Sequence, residues 1–150
     1  MAPTSGSSVF LDTNILIYAS FSTSAFHQAA RSRLNELEAD GAIFWTSRQV
    51  LREFIASTTR LGAVVPSSTA RALAESVRQF ERQFEIAEED ASVTAILLEL
   101  ITSRNIQGKQ IHDANIAATM QRHGIFRLLT HTTVDFARYT PEINVLPLFS

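Results

Sequence analysis

Val9-Phe10-Leu11-Asp12-Thr13-Asn14-Ile15-Leu16 decides the architecture, because a short apolar run stops at an acid and a second apolar segment begins after Thr13-Asn14. Three apolar residues are too few to assign by periodicity. The Asp-Thr-Asn that follows favours a buried strand handing over to a helix across residues 15–19. In an open α/β sheet, ligands and reacting groups collect at the carboxyl ends of the strands. Asp12 is therefore a candidate for chemistry as well as for the blander work of capping a helix or an Asx-turn.

The chain on either side repeats the alternation. Phe26, Ala30, Leu34 and Leu37 recur at helical spacing with Gly41 as the stop. Residues 42–45 predict a second strand, and Ser47 a cap for a helix to about Arg60 with Val50, Leu51, Phe54 and Leu61 on its apolar side. Residues 61–66 read as a connection. The next helix, from Ser67 or Ser68, sets Leu73, Val77, Phe80 and Phe84 opposite Arg71, Glu75, Arg78 and Arg82, the pattern of a solvated, salt-bridged face. Residues 84–87 predict a third strand, Glu88-Glu89-Asp90 a helix N-terminus, and residues 93–101 a helix apolar enough to be buried. A polar loop over 104–110, a helix over 111–123 closed by Gly124, a strand over 127–130, a turn holding Asp135 and a proline-bounded edge strand over 143–146 complete the series. Strands alternating with helices predict an α/β fold with a parallel sheet.

Composition agrees with one folded domain. The chain has 150 residues, 45% hydrophobic and 19% charged, which is enough to bury an ordinary core and unlike a disordered sequence. It has no cysteine, which excludes disulfides, thiolate metal sites and a cysteine nucleophile. Residues 1–8 are small and polar and read as a flexible tail rather than a signal peptide, leaving 9–150 as the single domain. No apolar stretch approaches membrane-spanning length, so the expected compartment is the cytoplasm, away from any membrane. The net charge of −2 does not advertise nucleic-acid binding. Lys109 is the only lysine; the arginines suit bidentate phosphate contact, though a coding bias towards arginine explains them equally well.

Four acids, Asp12, Glu53, Asp113 and Asp135, stand at breaks between apolar runs and helix-like or turn-like stretches. Glu53 lies beside the Val50/Phe54 stripe, where it can turn inward or pair with Arg52 or Arg60. Asp113 falls in the first turn of an alanine-rich helix, where the macrodipole favours a carboxylate in any case. Asp135 caps a turn or joins the other three. Gathered together, such groups repel by roughly 4 kcal/mol per pair about 4 Å apart at an effective dielectric near 20, so a cluster of them implies a counter-cation.

In order and spacing, Leu-Asp-Thr-Asn-Ile-Leu from Leu11, the glutamate of Leu51-Arg-Glu-Phe-Ile, His112-Asp-Ala-Asn-Ile-Ala-Ala and Leu129-Thr-His-Thr-Thr-Val-Asp-Phe resemble the PIN domain, especially the VapC toxins of toxin–antitoxin pairs. The resemblance covers nearly the whole chain from Val9. It implies a three-layer α/β/α sandwich with a short parallel sheet, a Mg²⁺ or Mn²⁺ site and ribonuclease activity that leaves 5′-phosphate and 3′-hydroxyl ends. Asp12, Glu53, Asp113 and Asp135 would be catalytic, with Asp12 and Asp113 on the metal and Asn14, Thr130 and Thr132 in support. The family's last motif usually has asparagine or aspartate two residues after its threonine, where this chain has Thr132. Either Asp135 supplies the fourth acid, or three carboxylates serve while Thr130 and Thr132 hold water. Arg104, Lys109, His112 and His131 are candidate RNA contacts, each of them equally a solvated loop residue or a cap. The resemblance also implies a homodimer, with residues 25–60 as the better dimer surface, and a cognate small antitoxin that sets an arginine against the carboxylates.

Other readings compete. A housekeeping PIN-domain RNA-processing nuclease fits the same residues, and a degraded PIN-like module that only binds RNA or protein is supported by Thr132. A haloacid dehalogenase would need an acid where Asn14 stands, and a response regulator needs paired acids after the first strand. Serine hydrolase, P-loop and HExxH signatures are absent.

Overall fold

β1 (Ser8–Leu11) is buried along its whole length, with Val9, Phe10 and Leu11 fully enclosed. A strand covered on both faces has no use for alternating polarity, which is why it reads as an unbroken apolar run. The computed structural model describes residues 7–60 and 67–149; the expected connection over 61–66, Leu61 and most of the expected tail lie outside the described residues. β1 begins at Ser8, whose hydroxyl accepts from the Trp45 indole at 3.1 Å.

From β1 the chain runs through α1 (Thr13–Ser20), α2 (His27–Ala39), β2 (Ile43–Thr46), α3 (Arg48–Arg60), α4 (Ser67–Gln83) and β3 (Glu85–Ile86). It continues through α5 (Ala91–Arg104), α6 (Gln110–Arg122), β4 (Arg127–Leu129), α7 (Thr133–Phe136), a 3-10 turn over Ala137–Tyr139 and β5 (Asn144–Leu146). The strands form one parallel sheet in the order β3-β2-β1-β4-β5, with Val9 level with Phe44 on one side and Arg127 on the other. Right-handed crossovers then put α1 to α4 on one face and α5 to α7 on the other, the three-layer α/β/α sandwich. Packing of α1 on α2 and α3, and of α6 on α5 and α7, agrees with that division. The strand order reverses between β1 and β4, and in open α/β sheets ligands collect at the carboxyl ends of the strands at such a reversal.

Local chemistry fixes the element ends. Gly41 and Gly124 adopt φ of 92° and 67°, turning the chain out of α2 and α6 so that the next amides, Ala42 and Ile125, bond back to Leu37 and Met120 at 3.0 and 2.9 Å. Asp90 caps α5 through bonds from the Ser92 and Val93 amides at 2.9 and 3.2 Å. On α4, Phe80 stacks on Phe84 and meets Phe54 edge-on, while Arg71, Glu75, Arg78 and Arg82 are exposed and Arg82 pairs with Glu75 at 2.6 Å.

Two expectations need correcting. Residues 93–101 do not form a buried helix: α5 buries Val93 and Leu100 but leaves Leu98 57% exposed, because its apolar residues wrap around the helix while only one side meets α6. Asp135 does not lie in a plain turn but in the first turn of α7. Among the described residues, no helix is long and apolar enough to cross a membrane.

Candidate active site

Asp12 follows β1 directly and is 7% exposed. Its Oδ1 accepts from the Thr13 amide at 2.7 Å, capping α1, while its Oδ2 accepts from the Thr130 hydroxyl at 2.7 Å. Thr130 follows β4, so this bond closes the sheet's switch point. Burial pushes the Asp12 carboxyl above its ordinary range; the Thr130 and Thr13 bonds draw it back, and the charges of Glu53 and Asp135 push it up again. Of the alternatives open in the sequence, the capping role is realised, and the same carboxyl lies within electrostatic reach of the other acids.

Glu53 turns inward from α3. Its Oε2 accepts from the Thr13 hydroxyl at 2.9 Å and its Oε1 from Gln49 Nε2 at 3.0 Å, one helical turn back. Gln49 is 6% exposed and works in two further directions: Nε2 also donates to the His112 carbonyl at 2.8 Å, and Oε1 accepts from Asn115 Nδ2 at 2.7 Å. One buried amide thus ties α3, which bears Glu53, to α6, which bears Asp113. Neither Gln49 nor Asn115 was among the residues expected from sequence. The available signal was a glutamine on the apolar side of α3, one turn before the acid.

Asp113 is partly buried in the first turn of α6. Its carboxyl is pushed up to about 6, first by burial and then by the charges of Asp12, Asp135 and Glu53, while His112 pulls it back. The four acids singled out in the sequence therefore share one electrostatic neighbourhood. Asp135 is its exposed member, and its amide bonds the Thr132 carbonyl at 3.1 Å.

The supporting residues gather around Thr130. Asn14 Nδ2 lies 3.4 Å from the Thr130 hydroxyl, and Asn14 Oδ1 accepts from the His131 amide at 3.3 Å. The Thr132 hydroxyl stands 3.1 Å from that of Thr130. Thr130 has one proton and gives it to Asp12, so Thr132 is the donor of this pair. Thr132 is thus directed at Thr130.

The four cationic candidates separate. Lys109 and His112 are exposed at the start of α6, beside Asp113. Arg104 is engaged elsewhere: it binds Glu142 and the Arg138 carbonyl, and its guanidinium lies 5.8 Å from the centre of the Tyr139 ring. His131 packs among aromatic rings, 4.5 Å from Phe26 and 5.8 Å from Tyr18 between centroids.

As a donor set this is hard oxygen without sulfur. Among the described residues, no three His, Asp or Glu side chains converge closely enough to hold one ion together. Mg²⁺ asks for less: one or two carboxylates, with water completing its shell. The arrangement fits such a loosely held cation.

A family model described as the PIN domain matches residues 9–140. No curated protein sequence matches the chain. Among solved structures, the fold is similar to VapBC2 of Rickettsia felis bound to a promoter DNA fragment, at TM-score 0.67 and 22% identity over 93% of this chain and 98% of that one. A toxin–antitoxin complex of Klebsiella pneumoniae matches at TM-score 0.64 and 24% identity, covering 95% and 98% of the two chains. VapC20 of Mycobacterium tuberculosis, a toxin that cleaves the sarcin-ricin loop, matches at 0.60 and 21%, covering 80% and 86%.

Proposed function

The chain belongs to the PIN domain family, and from that premise we propose that it is a divalent-metal-dependent endoribonuclease, the toxin of a VapBC-type toxin–antitoxin pair acting in the cytoplasm. The observation that carries the reading is the electrostatic crowding of Asp113, held near 6 by burial and three other carboxylates at the switch point of the sheet. Carboxylates assembled against their own repulsion suit a site completed by a cation.

In this reading Asp12 and Asp113 hold the ion directly, and Glu53 and Asp135 act through water. A bound Mg²⁺ or Mn²⁺ would acidify a coordinated water and neutralise charge gathering on the phosphodiester. Thr130 and the Thr13 amide fix Asp12 so that each oxygen keeps one lone pair for a ligand. Gln49 and Thr13 fix Glu53, which can then orient a water and accept its proton. Lys109 and His112, exposed at the start of α6, would meet substrate phosphates.

The toxin assignment draws support from the neighbours of similar fold, which include a VapBC assembly and a toxin–antitoxin complex. The partner expected is a small antitoxin that lays an arginine across the carboxylates, since a guanidinium meets clustered carboxylates through charge-assisted bonds; the toxin itself would be a homodimer. Expression in cells tests this reading. New 5′-phosphate RNA ends and arrested growth, both absent with Asp12→Ala, are expected, together with a small protein that co-purifies from the native host. Harmless expression without new ends would overturn the toxin assignment.

A further inference from the structure

Beside the carboxylates lies an aromatic cluster that the metal chemistry does not use. His131 follows Thr130 immediately, and its amide is held by Asn14 at 3.3 Å. Tyr18 stands four residues after Asn14 and so on the same face of α1. The His131 ring meets Tyr18 edge-on at 5.8 Å and Phe26 at 4.5 Å, and Phe149 stands 6.0 Å away with 58% of its surface exposed. Burial and then the charge of Asp12 push the Tyr18 phenol up, which places that ring within electrostatic reach of the acid.

We infer that Tyr18, His131 and Phe149 form a stacking wall for the nucleobase adjoining the phosphate held at the carboxylates, so that the substrate is unpaired RNA read by its base faces. This rests on the ribonuclease reading. His131 is the residue next to Thr130, whose hydroxyl binds Asp12, and the Asn14 bond to its amide holds it there. Tyr18 and His131 are half-buried, so their rings are partly open to a base, and stacking tolerates any base but requires it unpaired.

The test is fluorescence anisotropy with labelled oligoadenosine and oligouridine on the Asp113→Asn protein, where hydrolysis is blocked, across a salt series. His131→Ala or Phe149→Ala should weaken binding by about fivefold to a hundredfold without changing the slope of log K against log salt. His131→Trp should restore binding and His131→Lys should not. An oligomer abasic at the bound position should not distinguish these variants. Unchanged affinity in both alanine variants, or rescue by lysine with an altered salt slope, would overturn the wall while leaving the nuclease reading intact. Loss of antitoxin binding with RNA binding unchanged would assign the rings to the protein partner instead. If the unsubstituted chain neither binds nor cuts RNA, the nuclease reading and the wall both fall.

Discussion

The Thr130 hydroxyl donates to Asp12 Oδ2 at 2.7 Å, joining residues 118 apart in sequence across the ends of β4 and β1. With the Thr13 amide on Oδ1, both oxygens of a nearly buried carboxylate have a donor, which offsets part of the cost of charging such a group. Thr130→Val keeps the shape and removes the donor, so it should cost about 1–3 kcal/mol in urea unfolding at neutral pH and raise the Asp12 pKa further. Thr130→Ser should recover most of the loss. Equal stability of the valine variant and the parent would show that the bond contributes little.

Asp113 predicts a pH dependence of defined sign. Its carboxyl sits at about 6 in the folded chain, above the aspartate value of about 4 expected when unfolded. The native state binds the proton more tightly, so the stabilising contribution is complete below about pH 4 and lost as pH rises through about 6. In EDTA, Asp113→Asn should therefore be the more stable protein at pH 7.5, by about 1–2 kcal/mol after allowance for solvent screening, with the gain vanishing near pH 4. Added Mg²⁺ should stabilise the parent more than the variant. A variant less stable than the parent at pH 7.5 would contradict the crowding of charges.

Gln49 should behave as a positioning residue. Gln49→Leu removes the bond to Glu53 Oε1 and leaves Asn115 Nδ2 and the His112 carbonyl without their partner. Cleavage or metal affinity should fall by about 10–100-fold, with the folded structure retained in circular dichroism. Gln49→Glu should not rescue, since it sets a second carboxylate against Glu53. Full activity in Gln49→Leu would mean that Glu53 needs no such support.

Asp135 and Thr132 can be ranked. Thr132 is directed at Thr130, and Asp135 contributes charge to both Asp12 and Asp113. Asp135→Asn should therefore slow cleavage and weaken metal binding more than Thr132→Ala, measured side by side in Mg²⁺. The reverse ranking would make Asp135 a helix-turn residue and Thr132 the holder of water.

The sequence made the strand-to-helix transition at Asp12 legible, because an apolar run, a capping acid and a new apolar segment are local signals. The same holds for Gly41, Asp90 and Gly124, whose roles depend only on their own turns. What escaped depends on distant elements meeting. Gln49 and Asn115, 66 residues apart, become partners only when folding brings α3 and α6 from opposite faces of the sheet into contact. Arg104 reads as a loop cation until the chain returns 38 residues later with Glu142. Leu98 illustrates the reverse error, since an apolar run cannot say which side of its helix will be covered.

The central claim is that these carboxylates cut RNA with the help of a cation, and end-mapping of single-stranded RNA incubated with the purified chain tests it most directly. In Mg²⁺ or Mn²⁺ the account predicts new 5′-phosphate and 3′-hydroxyl ends, none of them in excess EDTA and none with folded Asp12→Ala or Asp113→Asn. Cleavage that persists in EDTA, or in both variants, would contradict it.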